Sequence, residues 1–272
     1  MIRAAIVAIL AVCVSASLAA AQAPARFRWQ AGQVLLYKVE QSTLATDSVG
    51  DNKDESRTRM STVKRYQVLS VTPAGVATIQ MSLTALRFES SRTGGAEVVF
   101  DSANLDKSTP ELKAQMSKFV GVPIALLTVD GTGRVLEVKD SKFGSAGRFV
   151  SDLTLPVDAL TVGKKWDNPY QITLEPPQGT GQKFDALRHY TCAGIAGGQA
   201  TITFTTELTK PPATAADQLP LLGMQPQGRV VFDLSAGRLV SAVLTIDKEV
   251  KGHSGEGSVY RYQSTYNETL VP

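Results

Sequence analysis

The sequence predicts a mainly β fold: a large, curved antiparallel sheet or partial β-barrel built from hairpins, with one short covering helix near residues 109–120. Three observations support this prediction. Most of the chain alternates apolar and polar residues, and Gly, Pro, Asp or Asn interrupts the alternation at short intervals, as in strands joined by hairpins. One segment has helical spacing instead. A similar hairpin sequence occurs in both halves of the chain.

The first 21 residues have the features of a secretory signal peptide. Arg3 precedes a charge-free apolar run, and the small residues 19–21 follow where a signal peptidase cuts. The run is shorter than the roughly 20 apolar residues that a membrane span needs. Cys13 does not fit a lipoprotein signal because the residue before it is not small. We therefore expect a mature domain of residues 22–272, located in the periplasm or secreted.

The composition limits the classes of partner. The chain has 28 Lys and Arg against 25 Asp and Glu, scattered along its length, which gives no indication of a nucleic-acid partner. No segment after the signal is long and apolar enough for an integral membrane span. The mature chain keeps one cysteine, Cys192, so no internal disulfide can form and the core must stabilise the fold. These features predict a single β-rich domain.

The alternation of apolar and polar residues predicts where the strands lie. They are expected at residues 34–44, 65–83, 200–208 and 259–266, the second of these regions being divided by a turn at 73–75. In the first, Leu35, Tyr37 and Val39 share one face. In the second, the residues expected to point inward are Ala77, Ile79, Met81 and Leu83.

Residues 108–123 break the alternation. Three apolar side chains recur there at the i, i+4 and i+7 spacing of one helical face, namely Leu112, Met116 and Phe119. Ser108 or Thr109 can cap the start, and Gly121 is well placed to end the helix. The segment predicts a helix of about three turns that covers one edge or mouth of the sheet.

The stretch TVDGTGRVLEVK at 128–139 resembles a phosphate-binding loop at first sight. Such a loop leads into a helix whose N-terminal amides face the phosphate. Here the glycines are followed by an alternating, β-branched segment, and the related VFDLSAGRLVSAVL at 231–244 continues in the same way. Both stretches therefore predict a β-hairpin, with a tight turn at 130–133 in the first.

The two hairpins belong to a longer repeat. When residues 77–79 are aligned with the identical 200–202, strand, turn and strand match on both sides, and each half then reaches its glycine-containing hairpin. The pattern predicts an ancient duplication with halves 26–150 and 151–272 that share one core. Residues 175–182 and 210–220 are expected to be loops within the second half.

Few side chains suggest catalysis or metal binding. His189 and His253 are not at metal-ligand spacing, and Cys192 has no partner cysteine. His189 is expected to be a partly exposed strand residue, His253 an ordinary polar residue of a glycine-rich turn, and Cys192 a small buried one. Ser254 lies in GHSGEG, which lacks the spacing of a nucleophile elbow. We therefore predict no catalytic, cofactor-binding or metal-binding residue and no cofactor.

The acidic stretch at 47–56 lacks the residue order of an EF-hand. It gathers four carboxylates, those of Asp47, Asp51, Asp54 and Glu55. We expect a solvated, mobile hairpin tip there. Trp29 and Trp166 each lie near a glycine-led strand start, and packing in the core or at a sheet edge is expected for both.

Three segments resemble a group of uncharacterised secreted proteins from planctomycetes and other bacteria, which share a domain of unknown function. They are FRWQAGQVLLYKVEQ (27–41), VDGTGRVLEVK (129–139) and LPVDALTVGKKWDN (155–168), the last with a proline followed by V-G-x-x-W at a strand start. The resemblance implies an exported protein and carries over no catalytic residue.

Two functions from different classes are compatible with these features. The excess of Thr-, Val- and Leu-rich strands over catalytic side chains favours an exported non-enzymatic protein with a binding or structural role in the cell envelope. Its partner would be a small apolar ligand, as for a lipid carrier, or an envelope protein. The alternative is a hydrolase of envelope polysaccharide or peptide, which needs two carboxylates, or His189 with an acid, in one cleft.

Overall fold

The computed structural model describes residues 24–141, 153–176 and 178–272. The expected signal peptide lies outside the described residues. The described strands are β1 (Val34–Val49), β2 (Asn52–Val71), β3 (Ala77–Arg92), β4 (Val98–Asp101), β5 (Pro123–Val129), β6 (Val135–Ser141), β7 (Lys165–Leu174), β8 (Gln182–Ala196), β9 (Gln199–Leu208), β10 (Gln227–Asp233), β11 (Arg238–Lys251) and β12 (Val259–Leu270). The helices are α1 (Pro110–Met116) and α2 (Ala215–Gln218), with 3₁₀ segments at Leu105–Lys107, Ser117–Phe119 and Leu219–Met224.

These twelve strands form one antiparallel sheet, which confirms the predicted mainly β fold. Their order is β6-β5-β3-β2-β1-β12-β11-β10-β9-β8-β7, and β4 pairs with β3. The sheet does not close, since β6 and β7 stand at opposite ends of this order. The order β6-β5-β3-β2-β1 from the first half matches β11-β10-β9-β8-β7 from the second, with β12 between them. The duplication itself stays a prediction.

The sheet is strongly curved, and the concave side, here called the inner face, carries the core. One cluster of buried side chains joins Ile124 and Leu127 of β5 to Tyr190 and Cys192 of β8, although these strands lie near opposite ends of the sheet. Only a curled sheet brings them together. The residues predicted to point inward lie on this face, and Ala77, Ile79 and Met81 are buried there while Leu83 is half-buried.

A short N-terminal segment, residues 24–30 (the strap), closes one end of the inner face. The Phe27 N–H donates to the carbonyl of Gly131 at 2.7 Å, and the Arg28 N–H donates to the carbonyl of Gly237 at 2.9 Å. Both carbonyls belong to hairpin turns, one between β5 and β6 and the other between β10 and β11. The two related stretches are therefore hairpins, as predicted, and the strap binds both of them.

Each of these turns has a glycine that no other residue could replace easily. Gly133 and Gly237 have φ of 89° and 61°, in the left-handed region. A Cβ on Gly133 would lie 2.8 Å from the carbonyl oxygen of Leu153, and one on Gly237 would lie 2.7 Å from that of Arg26. The glycines thus allow the turn and also the close approach of the covering chain.

The predicted helix is present as α1, which continues into the 3₁₀ segment Ser117–Phe119. Thr109 occupies the N-cap position, but its hydroxyl accepts a hydrogen bond from the Val99 N–H at 3.0 Å rather than capping the helix. It therefore fastens the helix start to β4. Gly121, just beyond the helical segment, has a φ of 78°.

One expectation about the chain outside the strands was wrong. The expected loop at 210–220 contains the start of a second helical segment, α2 and the 3₁₀ turn after it; the Thr214 hydroxyl begins it by accepting from the Asp217 N–H. A single helical turn between prolines is too short to show a period. The acidic stretch is the tip of a hairpin, as predicted: only residues 50 and 51 lie between β1 and β2, and β12 and β3 extend the ladder on both sides.

Candidate functional site

The central strands are longer than the core that they support. Beyond the level of Val39, the inner face continues along β1, β2, β3, β11 and β12 as a surface that we call the trough. Directly paired residues of neighbouring strands share a face, and the register assigns to it Gln41, Thr43, Ala45, Thr58, Met60, Phe88, Leu244, Ile246, Tyr262, Ser264 and Tyr266. All of them are half-buried except Ser264, which is buried.

Around Gln41 and Thr43 the trough mixes hydroxyl groups with apolar side chains and carries no charge; charges appear further out, at the level of Ala45, where the register places Lys248 beside Tyr262 and Arg92 beside Ser56. The hydroxyls of Thr43 and Ser264, on neighbouring strands, lie 3.2 Å apart and share a hydrogen bond. Other charges of the same strands lie on the outer face, as in the pairs Arg87–Glu89 and Arg261–Asp247. A face that simply met water would carry such charges too, so the composition indicates a surface suited to an uncharged, amphipathic contact.

The helical segments form the walls of the trough. In the 3₁₀ segment Leu219–Met224, Leu221 is buried against Ile172 of β7, and the segment also contacts β11 and β12. Its Gly223 lies against the Tyr262 hydroxyl, since a Cβ there would be 3.1 Å from it. On the other side, α1 contacts β4, whose buried Phe100 pairs with Phe88.

A buried ion pair ends the trough on the core side. The ammonium of Lys64 lies 3.4 Å from a carboxylate oxygen of Glu268 and donates to the Tyr266 hydroxyl at 2.7 Å. The side chains of Lys64 and Glu268 are 8% and 3% exposed. Charges this deep need a partner, because removal from water costs several kcal/mol per ion. Tyr266 is the contact between this pair and the trough.

Two tyrosines lie beneath the pair. The rings of Tyr37 and Tyr66 meet edge to face at 5.7 Å, and the Tyr37 hydroxyl donates to the Leu239 carbonyl at 3.0 Å. Burial, and next the negative charge of Glu268, raise the pKa of both phenols above the ordinary value of 10.0. The two therefore stay neutral hydrogen-bonding groups and supply no second charge to the pair.

A small cavity of about 30 Å³ lies on the core side of Glu268. Aromatic and aliphatic side chains line it, among them Phe27, Trp29, Leu35 and Ile79. This volume suits one or two water molecules rather than a larger ligand. This cavity is therefore not the candidate ligand site.

His189 lies outside the trough, on the opposite face of the sheet. Its Nδ1 is 2.9 Å from Asp167 and its Nε2 is 3.2 Å from Glu207, and its side chain is 40% exposed, as the sequence predicted. Hydrogen bonds that the ring donates to Asp167 and Glu207 raise the pKa of His189. Because both ring nitrogens face carboxylates, the cluster is a surface cross-link between β7, β8 and β9. His189 therefore has two acidic neighbours, as the hydrolase alternative requires, but the three side chains lie on an exposed face rather than in a cleft.

His253 is less ordinary than its glycine-rich turn suggested. Its side chain is 5% exposed and its ring meets that of Tyr260 edge to face. Its Nε2 approaches Asp47 to 3.0 Å at angles that do not make a hydrogen bond. Asp47 in turn pairs in register with Asp54, which Arg92 binds. On the central strands, charged side chains thus return to the inner face toward the far end of the trough, where Lys248 also lies beside Tyr262.

The remaining candidates are structural. Cys192 is buried, as predicted, and burial raises the pKa of its thiol. Trp29 stacks on Phe27 and Trp166 stacks on Tyr190, so both tryptophans pack against the core. Among the described residues, no group of three or more His, Cys, Asp or Glu side chains is arranged to hold a metal ion.

Sequence reasoning missed Lys64 and Glu268 altogether. Both occupy inward positions of alternating strands, Lys64 in phase with Tyr66 and Glu268 in phase with Tyr266. A charge at an inward position is rare, and two of opposite sign predict a buried pair. The sequence contained that signal. It did not show that β2 and β12 both pair with β1, which is what brings Lys64 and Glu268 together.

The chain has weak likenesses to known structures. No protein-family model and no curated protein matches it. Lipovitellin, from a structure on lipid–protein interactions, is 11% identical, with 89% of this chain and 25% of that chain covered and a TM-score of 0.49. DynF from the dynemicin biosynthesis pathway of Micromonospora chersina is 9% identical, with 92% and 86% covered and a TM-score of 0.22. A chain of the MucA/MucB complex of Pseudomonas aeruginosa is 8% identical, with 88% of this chain and 89% of that chain covered and a TM-score of 0.14.

This chain therefore spans about a quarter of the lipovitellin chain. With TM-scores below 0.5, these likenesses say nothing about what this chain binds. No helix of the described residues combines the length and the apolar character that a membrane crossing requires.

Proposed function

We propose that this protein is exported to the periplasm or beyond and binds an apolar or amphipathic small molecule, such as a lipid, in the trough. The observation that carries the proposal is the inner face of the central strands around Gln41 and Thr43, which is uncharged and half-buried and lies between the packed core and two helical walls. A concave surface lined by apolar groups with a few hydroxyls is the usual form of a small-molecule site.

A binding role fits the residues better than catalysis does. Hydrolysis of a polysaccharide or peptide requires an acid and a base, or an activated nucleophile, facing the same cleft. His189 and its two carboxylates lie on the outer face, and the charges at the inner end of the trough, Lys64 and Glu268, already neutralise each other. We therefore propose a carrier or receptor rather than a hydrolase.

Native mass spectrometry of the protein purified gently from its own host tests this function. We expect an apolar molecule to co-purify and to be released on denaturation. Ile246→Glu, which places a carboxylate in the trough, should reduce the bound fraction about tenfold because an unpaired charge would be buried against an apolar chain.

The matched control is Val243→Glu, on the same strand but on the outer face, where Val243 is 39% exposed. It should bind as the unaltered protein does. The proposal is wrong if the unaltered protein carries no small molecule, or if both variants retain it equally. A clean apo mass would favour a protein partner, to be sought by crosslinking in the envelope.

A further inference from the structure

The inner end of the trough is electrically balanced. Lys64 and Glu268 supply one positive and one negative charge within 3.4 Å, and both side chains are almost fully buried. The next groups outward along the inner face are Gln41 and Tyr266, both neutral. A ligand head that reaches this point therefore meets a dipole rather than a net charge.

We propose that the trough selects ligands with an uncharged polar head, such as the ester or hydroxyl groups of a monoacylglycerol, and rejects fatty acids and long-chain amines. This inference rests on the proposed function. The head lies against Tyr266 and Gln41 with Lys64 behind them, and the chain follows the apolar residues of the trough, among them Met60 and Ile246.

The charge balance carries this selectivity. A carboxylate head would gain the ammonium of Lys64 but would stand equally near Glu268, with no further cation at the level of Gln41 and Tyr266 to compensate it, since Lys248 lies further out beside Tyr262. An ammonium head would meet the reverse situation. In both cases a charge leaves water without a counter-charge, which is unfavourable at a buried site.

A neutral head avoids this cost and finds partners. The Lys64 ammonium has three N–H donors, and the described residues give it two acceptors, Tyr266 and Glu268. An ester carbonyl or a hydroxyl oxygen can accept the third. Thr43, Thr58 and Ser264 supply further hydroxyls along the trough for a head that carries several oxygens.

Three probes with the same chain separate the possibilities: monoolein, oleate and oleylamine. Each is titrated against the protein loaded with a neutral apolar fluorophore, N-phenyl-1-naphthylamine, and displacement gives its relative affinity. We expect monoolein to bind at least about tenfold more tightly than either charged probe at neutral pH. Tighter binding of oleate or oleylamine than of monoolein would overturn the inference.

Single substitutions in the ion pair should then allow the charged probes to bind more tightly. Glu268→Gln leaves the Lys64 ammonium without its carboxylate and should improve oleate binding about tenfold. Lys64→Met leaves the Glu268 carboxylate alone and should improve oleylamine binding to a similar extent. The double variant Lys64→Met/Glu268→Gln has no charge at this point and should keep the preference for monoolein.

Near-UV circular dichroism shows whether each variant is folded. If a single variant does not fold, the ranking of the three probes on the unaltered protein and on the double variant decides the inference. If no probe displaces the fluorophore, the proposed function itself fails. If charged probes compete as well as monoolein, only the inference of charge selection fails, and binding in the trough remains.

Discussion

The same strands form two different surfaces at their two ends. At the closed end, side chains such as Tyr37 and Ile79 are buried because the strap and residues 153–160 cover them. At the open end, Thr43 and Met60 continue the same alternation but remain half-buried. Alternation therefore defines the inner face, while the covering segments decide which part of it becomes core. The site is the part that the chain itself leaves uncovered.

The largest expected effect comes from removing the aromatic side chain that anchors the strap. Phe27 is buried, stacks on Trp29 at 4.9 Å and meets Phe232 edge to face at 5.0 Å. Phe27→Ala should reduce the free energy of unfolding by about 3–5 kcal/mol, measured by urea denaturation, because it opens a cavity in the closed end.

The control for this variant lies at the open end. Phe88 is a half-buried phenylalanine in the trough, and Phe88→Ala should cost only about 1 kcal/mol. Equal losses for the two variants would mean that the trough is as well packed as the core, and the distinction between the ends would then be wrong.

Glycines of the strap-bound turns should show the next largest effect. Gly133→Ala and Gly237→Ala each combine a positive φ with a collision against a backbone carbonyl, and each should destabilise the protein by about 2–3 kcal/mol. Gly75 has a similar φ of 78° in the turn between β2 and β3, but a Cβ there would meet nothing within 4 Å.

Gly75→Ala therefore isolates the backbone strain and should cost about 1 kcal/mol. Thermal and urea denaturation of the three variants give the comparison. If Gly75→Ala is as damaging as the other two, contact with the strap adds nothing to the stability of the closed end.

The sequence was sufficient for the local part of this structure. Strand alternation predicted the inward residues Ile79 and Met81, and the two glycine-containing stretches predicted hairpins. Both are properties of neighbouring residues, so one sequence contains them. The helix α2 was missed because a single turn shows no periodicity.

Non-local pairing was not readable, and the candidate site depends on it. β12 joins the two sets of strands, which brings Glu268 opposite Val39 and within reach of Lys64 on β2. The strap, likewise, binds turns about 100 and 200 residues further along the chain. Such contacts follow from sheet order, which periodicity does not encode. The trough could be predicted as an alternating strand pattern, but not as a surface with two walls and a floor.

The smallest effect is expected from charges on the outside of the closed end. His189 is held between Asp167 and Glu207, and their hydrogen bonds raise its pKa in the folded protein above the ordinary value of 6.5. The protonated form is the one that the fold favours, so its contribution to stability is fully present below about pH 6.5 and is lost as the pH rises through the raised folded value.

His189→Gln should therefore lower the free energy of unfolding at about pH 5.5 and have no effect at about pH 9. The difference should stay below about 1 kcal/mol because all three side chains are at least 40% exposed and water screens the pair. Urea denaturation at the two pH values measures it. A loss that grows with pH has the wrong sign for this ion pair, and a loss approaching that of Phe27→Ala would mean that surface charge, rather than the strap and its aromatic anchor, holds the closed end together.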